Sequence, residues 1–187
     1  MLAIMVTIYF NNKNANDSLL INIAGQQRML TQKISKDIFY IYESKKANYS
    51  GLDQSIKKFI SNYEYIKSRE EIQDSLQDKN SDISVQMKRI DFLWDDFNKN
   101  VNDFKVIMHL PNQIDKIREM LGSIYEESSV LLIEVNNLVT LLTVRNENKN
   151  YHIKNLQYTA AFLLLMLMFY IVLQLKHIEA NAHSFIE

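Results

Sequence analysis

The longest regular apolar pattern in the chain runs from Ile114 to Leu142, and it constrains the fold more than any other feature. The residues of this pattern, apolar except for one serine, recur at alternating intervals of about three and four: Ile114, Ile117, Leu121, Ile124, Ser128, Leu131, Val135, Leu138 and Leu142. Such spacing, sustained over about four heptads, is typical of a helix that packs along its length against other helices. We therefore predict a long helix within a coiled coil or a helical bundle.

Three earlier segments show the same periodicity and predict three more helices. Helix one is expected from about Asn12 to Asn48, with Gly51 as its cap. A polar turn at 78–82 separates helix two from helix three, and Pro111 ends helix three because proline lacks a backbone donor. The residues expected to face the core are Leu20, Ile23, Leu30, Ile34, Ile38 and Ile41 in helix one; Leu52, Ile56, Phe59, Tyr63 and Ile66 in helix two; and Ile83, Met87, Ile90, Trp94, Phe97, Val101, Phe104 and Met108 in helix three.

The composition agrees with an all-α fold. The 187 residues include only three glycines and one proline, so the chain is poor in turn formers. The absence of cysteine excludes a disulfide framework and a thiolate metal site. A net charge of -1 provides no field that attracts nucleic acid. We predict an antiparallel up-down-up-down four-helix bundle flanked by transmembrane helices.

Two apolar segments flank the predicted bundle. The apolar residues 1–10 reach only about 15 Å as a helix, so we interpret 1–11 as the end of a truncated first transmembrane helix. Residues 158–175 extend over about 27 Å, which is enough to cross a bilayer. The predicted organisation is therefore a membrane segment at 1–11, a helical bundle at 12–157, a second transmembrane helix at 158–175 and the start of a signalling helix at 176–187.

A second face of helix one carries an unusual set of residues: Ile21, Gly25, Arg28, Gln32 and Ser35. Glycine inside a helix costs about 1 kcal/mol relative to alanine. This pattern suggests that another backbone approaches Gly25, while Arg28 and Gln32 present hydrogen-bond donors into the gap. Such an arrangement suits a small anion. The alternative is that Arg28 is an ordinary surface cation, and the spacing alone favours neither interpretation.

The helix lengths predict a parallel dimer. Helices one and four are longer than helices two and three, so parts of their apolar faces lack partners within the chain, and a second copy would cover them. Two Arg28 side chains facing each other would repel, and an anion between them would relieve the repulsion. Counting residues from the membrane ends places Arg28 level with 136–140. The candidate polar neighbours are thus Asn136, Asn137, Thr140 and Thr143.

The motif in helix one resembles that of a known family. The run INIAGQQRMLTQKISK, residues 21–36, is similar to the motif IN-x-AGRQRMLSQRM of the N-terminal domain of type IV pilus methyl-accepting chemotaxis transducers. It also resembles the conserved box in the periplasmic domain of nitrate/nitrite sensor histidine kinases. In those kinases the matching arginine binds nitrate between the first helices of two subunits, which implies Arg28, with Gly25 behind it. Ile23 and Lys33 stand where the kinases have a basic residue and an arginine, and Lys33 is a further candidate neighbour of the ligand.

The resemblance implies a bacterial sensor in the inner (cytoplasmic) membrane, with residues 12–157 in the periplasm or outside the cell. The expected partners are a nitrate- or nitrite-like anion, the lipid bilayer, a second copy of the chain, and a cytoplasmic output domain or partner protein. The sequence contains no motif typical of an enzyme, a metal site or a cofactor site, so catalysis is not expected. The alternative function is that of a membrane-anchored helical structural or adaptor protein that dimerises without a small ligand.

Overall fold

The computed structural model describes residues 2–45, 48–69, 72, 78 and 81–184, and it confirms the all-α class. The described residues form four long helices and contain no strand: α1 Leu2–Ser44, α2 Ser50–Ser68, α3 Asp82–Ile107 and α4 Ile114–Ser184. The chain divides into two compact units, Met1–Val144 and Arg145–Glu187, and α4 contributes residues to both.

The first unit contains the hydrophobic core, and most residues predicted to face it are buried; Ile23, Leu30, Ile56 and Met108 are partly buried and pack against it. The largest fully buried side chains include Ile34 and Ile38 of α1, Phe59 of α2 and Phe97 of α3. In α4, the predicted residues from Ile117 to Leu142 are buried as well. The prediction is wrong for Ile114, which is 63% exposed. Ile114 is the first residue of α4, and helical side chains lean towards the N-terminus, so this one points past the end of the helix.

The predicted glycine cap of α1 is wrong. The left-handed backbone conformation falls on Lys45, with φ 51°, directly after the last residue of α1. Gly51 lies inside α2 and has no positive φ. The side-chain oxygen of Asn48 accepts a hydrogen bond from the Ser50 amide at 3.2 Å, so Asn48 lies in the turn before α2 and does not extend α1.

The other predicted breaks agree with the structure where it describes them. The Ser81 amide donates to the Asp78 carbonyl at 3.0 Å, as expected of a turn, and the Ser81 hydroxyl caps α3 by accepting from the Ser84 amide. Residues 79 and 80 of that turn lie outside the described residues. Helix α3 ends at Ile107, before Pro111, as predicted.

Specific side-chain contacts connect the helices of the first unit. The rings of Phe59 in α2 and Trp94 in α3 stack with centroids 3.9 Å apart. One helical turn further along α2, the Tyr63 hydroxyl donates to the Met87 carbonyl at 2.9 Å. These contacts join α2 to α3 within the hydrophobic core. Helices α1 and α4 meet where the exposed rings of Phe39 and Tyr125 pack edge to face, with centroids 6.3 Å apart.

In the second unit, every described residue from 154 to 176 is exposed. By length and composition, one described helix fits a membrane span, because its most apolar 18-residue window has a mean hydropathy of 2.1 and no buried residue. The predicted span 158–175 lies within this helix. The side chains of the predicted first membrane segment, 1–11, lie outside the described part of the chain. Residues 185–187 of the predicted signalling helix also lie outside it.

A carboxylate lies in the contact between α3 and α4. The Asn100 amide donates to Glu127 Oε1 at 2.5 Å, while the buried Glu127 Oε2 has no hydrogen-bond partner among the described residues. Burial raises the pKa of Glu127 above its ordinary 4.5, the charge of Asp96 raises it further, and the hydrogen bond from Asn100 lowers it. The folded chain therefore binds this proton more tightly than the unfolded chain does.

We expect Glu127→Gln to stabilise the protein increasingly as the pH rises above about 4.5. Below that pH the carboxyl is neutral in both states, whereas at higher pH the folded state must bury a charge that glutamine lacks. Thermal unfolding of the full chain in mild detergent, followed by circular dichroism between pH 4 and 8, measures the difference. The exposed neighbour provides the control Glu126→Gln. Parallel pH profiles for the two variants would contradict the expectation.

Candidate functional site

One side of the motif in α1 is buried and attaches this helix to α2. Ala24, Thr31 and Ile34 are fully buried, and Gln27 is only 1% exposed. The Gln27 side-chain amide donates to the Phe59 carbonyl at 2.9 Å. Beside it, the Gln26 side-chain oxygen accepts from the Asn62 side-chain amide at 3.1 Å. The two adjacent glutamines thus hold α1 against α2.

The apolar pattern of the sequence did not identify Gln27 as structurally important. Its position did carry a signal, because it lies three residues after Ala24 and four before Thr31, within the buried stripe. The Thr31 hydroxyl donates to the Gln27 carbonyl at 2.9 Å, and the Ser35 hydroxyl donates to the Thr31 carbonyl at 3.3 Å. Ser35, which was predicted to share a face with Arg28, is 8% exposed and belongs to the buried side. Seven residues after Arg28 the helix has turned back by about 20°, which is enough to cross this boundary.

The other side of the motif is free of contacts that hold the fold together. Arg28, Met29 and Gln32 are exposed, and Gly25 is partly exposed. No ion pair among the described residues involves Arg28, whereas the amine of exposed Lys33 contacts the Asp37 carboxylate at 2.6 Å. The Arg28 guanidinium is therefore exposed and unpaired with any described carboxylate.

Gly25 has no role in the packing of the described chain. It lies in the middle of α1, and a Cβ placed on it would meet no atom within 4 Å. An alanine would fit there without displacing a neighbour and would favour the helix by about 1 kcal/mol. The folded chain alone thus gives no reason for a glycine at this position.

Of the predicted polar neighbours on α4, Asn136, Asn137 and Thr140 are exposed, whereas Thr143 is partly buried. The rings of Phe39 and Tyr125 are in contact. Arg28 lies as far before Phe39 in α1 as Asn136 lies after Tyr125 in α4. An antiparallel packing of these two helices would therefore place Arg28 and Asn136 at one level. The Thr140 hydroxyl donates to the Asn136 carbonyl at 3.1 Å. No hydrogen bond or ion pair joins Arg28 to either residue within the described structure. The structure therefore brings Gly25, Arg28 and Gln32 together on α1, and it shows no hydrogen bond from them to Asn136 or Thr140 among the described residues.

The described residues include no group of three or more histidine, aspartate or glutamate side chains that could hold a metal ion. What the site offers is a guanidinium, a side-chain amide and an open space over a glycine. These groups can donate hydrogen bonds to an anion.

The comparisons with known proteins give one match. Residues 9–119 of the 187 match the family model of the type IV pili methyl-accepting chemotaxis transducer N-terminal domain. The matched segment contains the whole α1 motif, α2 and α3. No curated protein and no solved structure matches the chain.

We expect Gly25→Ala to raise the free energy of unfolding of the single chain by about 0.5–1 kcal/mol. The reason is that alanine favours the helix and meets open space. The matched control is Gly122→Ala, another helical glycine whose Cβ would meet no atom within 4 Å. Urea unfolding in detergent, at protein concentrations low enough to keep the chain monomeric, measures both. A loss of stability confined to the variant at position 25 would show that the chain itself requires this glycine.

Proposed function

Since the chain belongs to the family of the type IV pili methyl-accepting chemotaxis transducer N-terminal domain, which is a sensory signalling domain, we propose that it is the input part of a membrane-bound receptor for a small anion. The anion, of the nitrate or nitrite type, binds between the α1 helices of two copies. Arg28 and Gln32 donate to it, Gly25 allows the close approach of the partner, and Lys33, Asn136 and Thr140 provide further polar groups around it.

The observation that carries this proposal is the separation of the motif into two sides. Gln27 and Thr31 on one side are buried and hydrogen-bonded within the chain. Gly25 and Arg28 on the other side make no contact that the fold of the described chain requires. A glycine that costs helix stability and a cation that no described carboxylate neutralises together point to a requirement outside the single chain.

A dimer supplies that requirement. Two guanidinium groups brought together across a symmetry axis repel, and burying unpaired cations is costly. A planar anion between them accepts hydrogen bonds from both, and a guanidinium matches its geometry better than an ammonium group does. The anion therefore favours the arrangement in which the two α1 helices are closest, and its binding shifts the population towards that arrangement.

The proposed architecture places this site in an antiparallel four-helix bundle outside the cytoplasm, at residues 12–157. Helix α4 leads from the bundle to the apolar segment 158–175, which we propose crosses the inner membrane. No glycine or proline follows Gly122 in the sequence, so α4 suits the transmission of a shift to a cytoplasmic output module or partner protein.

A second candidate function has its own support. Met29 is 63% exposed beside Arg28, and Tyr40 is 68% exposed further along α1. Exposed apolar side chains at such positions also suit a dimer interface without a ligand. On this view the protein is a membrane-anchored structural or adaptor protein, and Arg28 is a cation at the rim of the interface.

We expect nitrate or nitrite to bind the full chain in lipid nanodiscs, and Arg28→Ala to weaken the affinity more than tenfold. A charge-assisted hydrogen bond contributes about 1.5–3 kcal/mol, so the loss of the guanidinium must be visible. Arg28→Lys should recover only part of the affinity, because an ammonium group lacks the planar pair of donors. Isothermal titration calorimetry measures each. Arg118→Ala, which removes another exposed guanidinium, is the matched control and should leave binding unchanged.

Cross-linking separates the two functions. The chain has no cysteine, so a single Gln32→Cys substitution introduces its only thiol. Oxidation should join two copies at this position, and the same change at the exposed α2 residue Lys57 should not. If Gln32→Cys forms the cross-link while the wild-type chain binds neither nitrate nor nitrite, the adaptor function is favoured. If neither the cross-link nor anion binding is observed, the α1 interface is excluded.

A further inference from the structure

A second polar site lies in a groove of about 390 Å³ between the first turns of α3 and residues 137–141 in the first half of α4. We call it the α3–α4 groove, and its lining residues are Asp82, Val85, Gln86, Arg89, Asn137, Thr140 and Leu141. All of them belong to the first compact unit. Thr140, which we also place among the outer polar groups of the proposed anion site, lines this groove, whereas Gly25, Arg28 and Gln32 do not.

The base of the groove is fixed by hydrogen bonds to Glu134. The buried Gln86 amide donates to the Glu134 carbonyl at 2.7 Å and to its carboxylate Oε2 at 2.6 Å. The Asn137 amide reaches the same Oε2 at 3.3 Å. The Glu134 side chain is only 17% exposed. Its Oε2 atom accepts from Gln86 of α3 and from Asn137 of α4, so this carboxylate joins the two helices.

The rim of the groove carries two opposite charges on α3. Arg89 is 62% exposed at its side chain, and its nearest carboxylate oxygen, in Glu134, is 3.9 Å away, beyond hydrogen-bond distance. Asp82 is exposed and forms no ion pair with another described residue. Seven residues separate the two, so they lie on one face of α3, about 10 Å apart along its axis. Helical side chains lean towards the N-terminus, which directs the Arg89 guanidinium towards Asp82 and narrows the gap.

We propose that the α3–α4 groove binds a small free amino acid with an aliphatic side chain. The ligand carboxylate pairs with Arg89, its ammonium group pairs with Asp82, and its side chain lies between Val85 and Leu141. The Thr140 hydroxyl gives its proton to the Asn136 carbonyl, so its oxygen remains an acceptor for the ammonium group.

The charges of the groove disfavour a lone anion, because an anion at Arg89 meets the negative charges of Asp82 and Glu134. A lone cation at Asp82 is attracted by Glu134 as well, but it leaves the exposed Arg89 guanidinium without a hydrogen-bonded anion, since Glu134 Oε1 is 3.9 Å away. A zwitterion satisfies both rim charges at once and leaves no new charge unpaired. The apolar residues Val85 and Leu141 add affinity for a ligand with methyl or methylene groups.

Isothermal titration calorimetry of L-valine and L-leucine into the full chain in lipid nanodiscs tests this site. Saturable binding is expected for at least one of them, with affinity lowered more than tenfold by Arg89→Gln and by Asp82→Asn. The exposed neighbour provides the control Lys88→Gln, which should bind as the wild type does. On the wild-type chain, N-acetyl-L-valine, which lacks the ammonium group, and L-valinamide, which lacks the carboxylate, should fail to bind.

The absence of saturable binding by either amino acid would overturn the proposal, as would unchanged affinity in Arg89→Gln or equal binding of valinamide. The analogue series uses the wild-type chain, so it tests the proposal even if a variant fails to fold. Arg28→Ala should leave valine and leucine binding intact, because Arg28 does not line this groove. Failure of the anion site and failure of the α3–α4 groove are thus separate results.

Discussion

The hydrogen bond from the buried Gln27 amide to the Phe59 carbonyl sets the rotation of α1 about its own axis. An amide that is 1% exposed needs a partner, and turning the helix would remove this one while leaving the amide away from water. The next residue along the helix is rotated by about 100°. Arg28 is therefore held on the outer side by the same contact that holds Gln27 inside, and the exposure of the candidate site is a consequence of the packing of α1.

Apolar periodicity predicted most of the fold because burial of apolar surface dominates the packing of long helices. The apolar stripes of α2 and α3, which include Phe59 and Phe97, are buried as expected. Periodicity failed where local chemistry decided. Lys45 adopts the left-handed conformation expected of Gly51, because α1 ends at Ser44 and Gly51 already lies inside α2. Periodicity also passed over Gln27, because an amide has no place in an apolar count even when its nitrogen donates a hydrogen bond inside the core.

The candidate site was less predictable than the fold. The sequence placed Gly25, Arg28 and Gln32 on one face of α1, and all three lie clear of the core. Ser35 crossed to the buried side because a helix does not repeat after seven residues. What a single sequence could not reveal was the α3–α4 groove, since Arg89 and Leu141 come from distant segments that only the packing of α3 against α4 brings together. Clusters of this kind depend on tertiary contacts and leave no local pattern.

Trp94 is the only tryptophan in the chain, and its ring lies against Phe59 in the core. The protein thus carries an intrinsic optical probe at the contact between α2 and α3. Its emission should be blue-shifted while the ring remains 9% exposed, and it should move to longer wavelength when the two helices separate. The fluorescence of the unlabelled chain therefore distinguishes a rearrangement inside the helical core from a rigid movement of whole subunits, which would leave the surroundings of this indole unchanged.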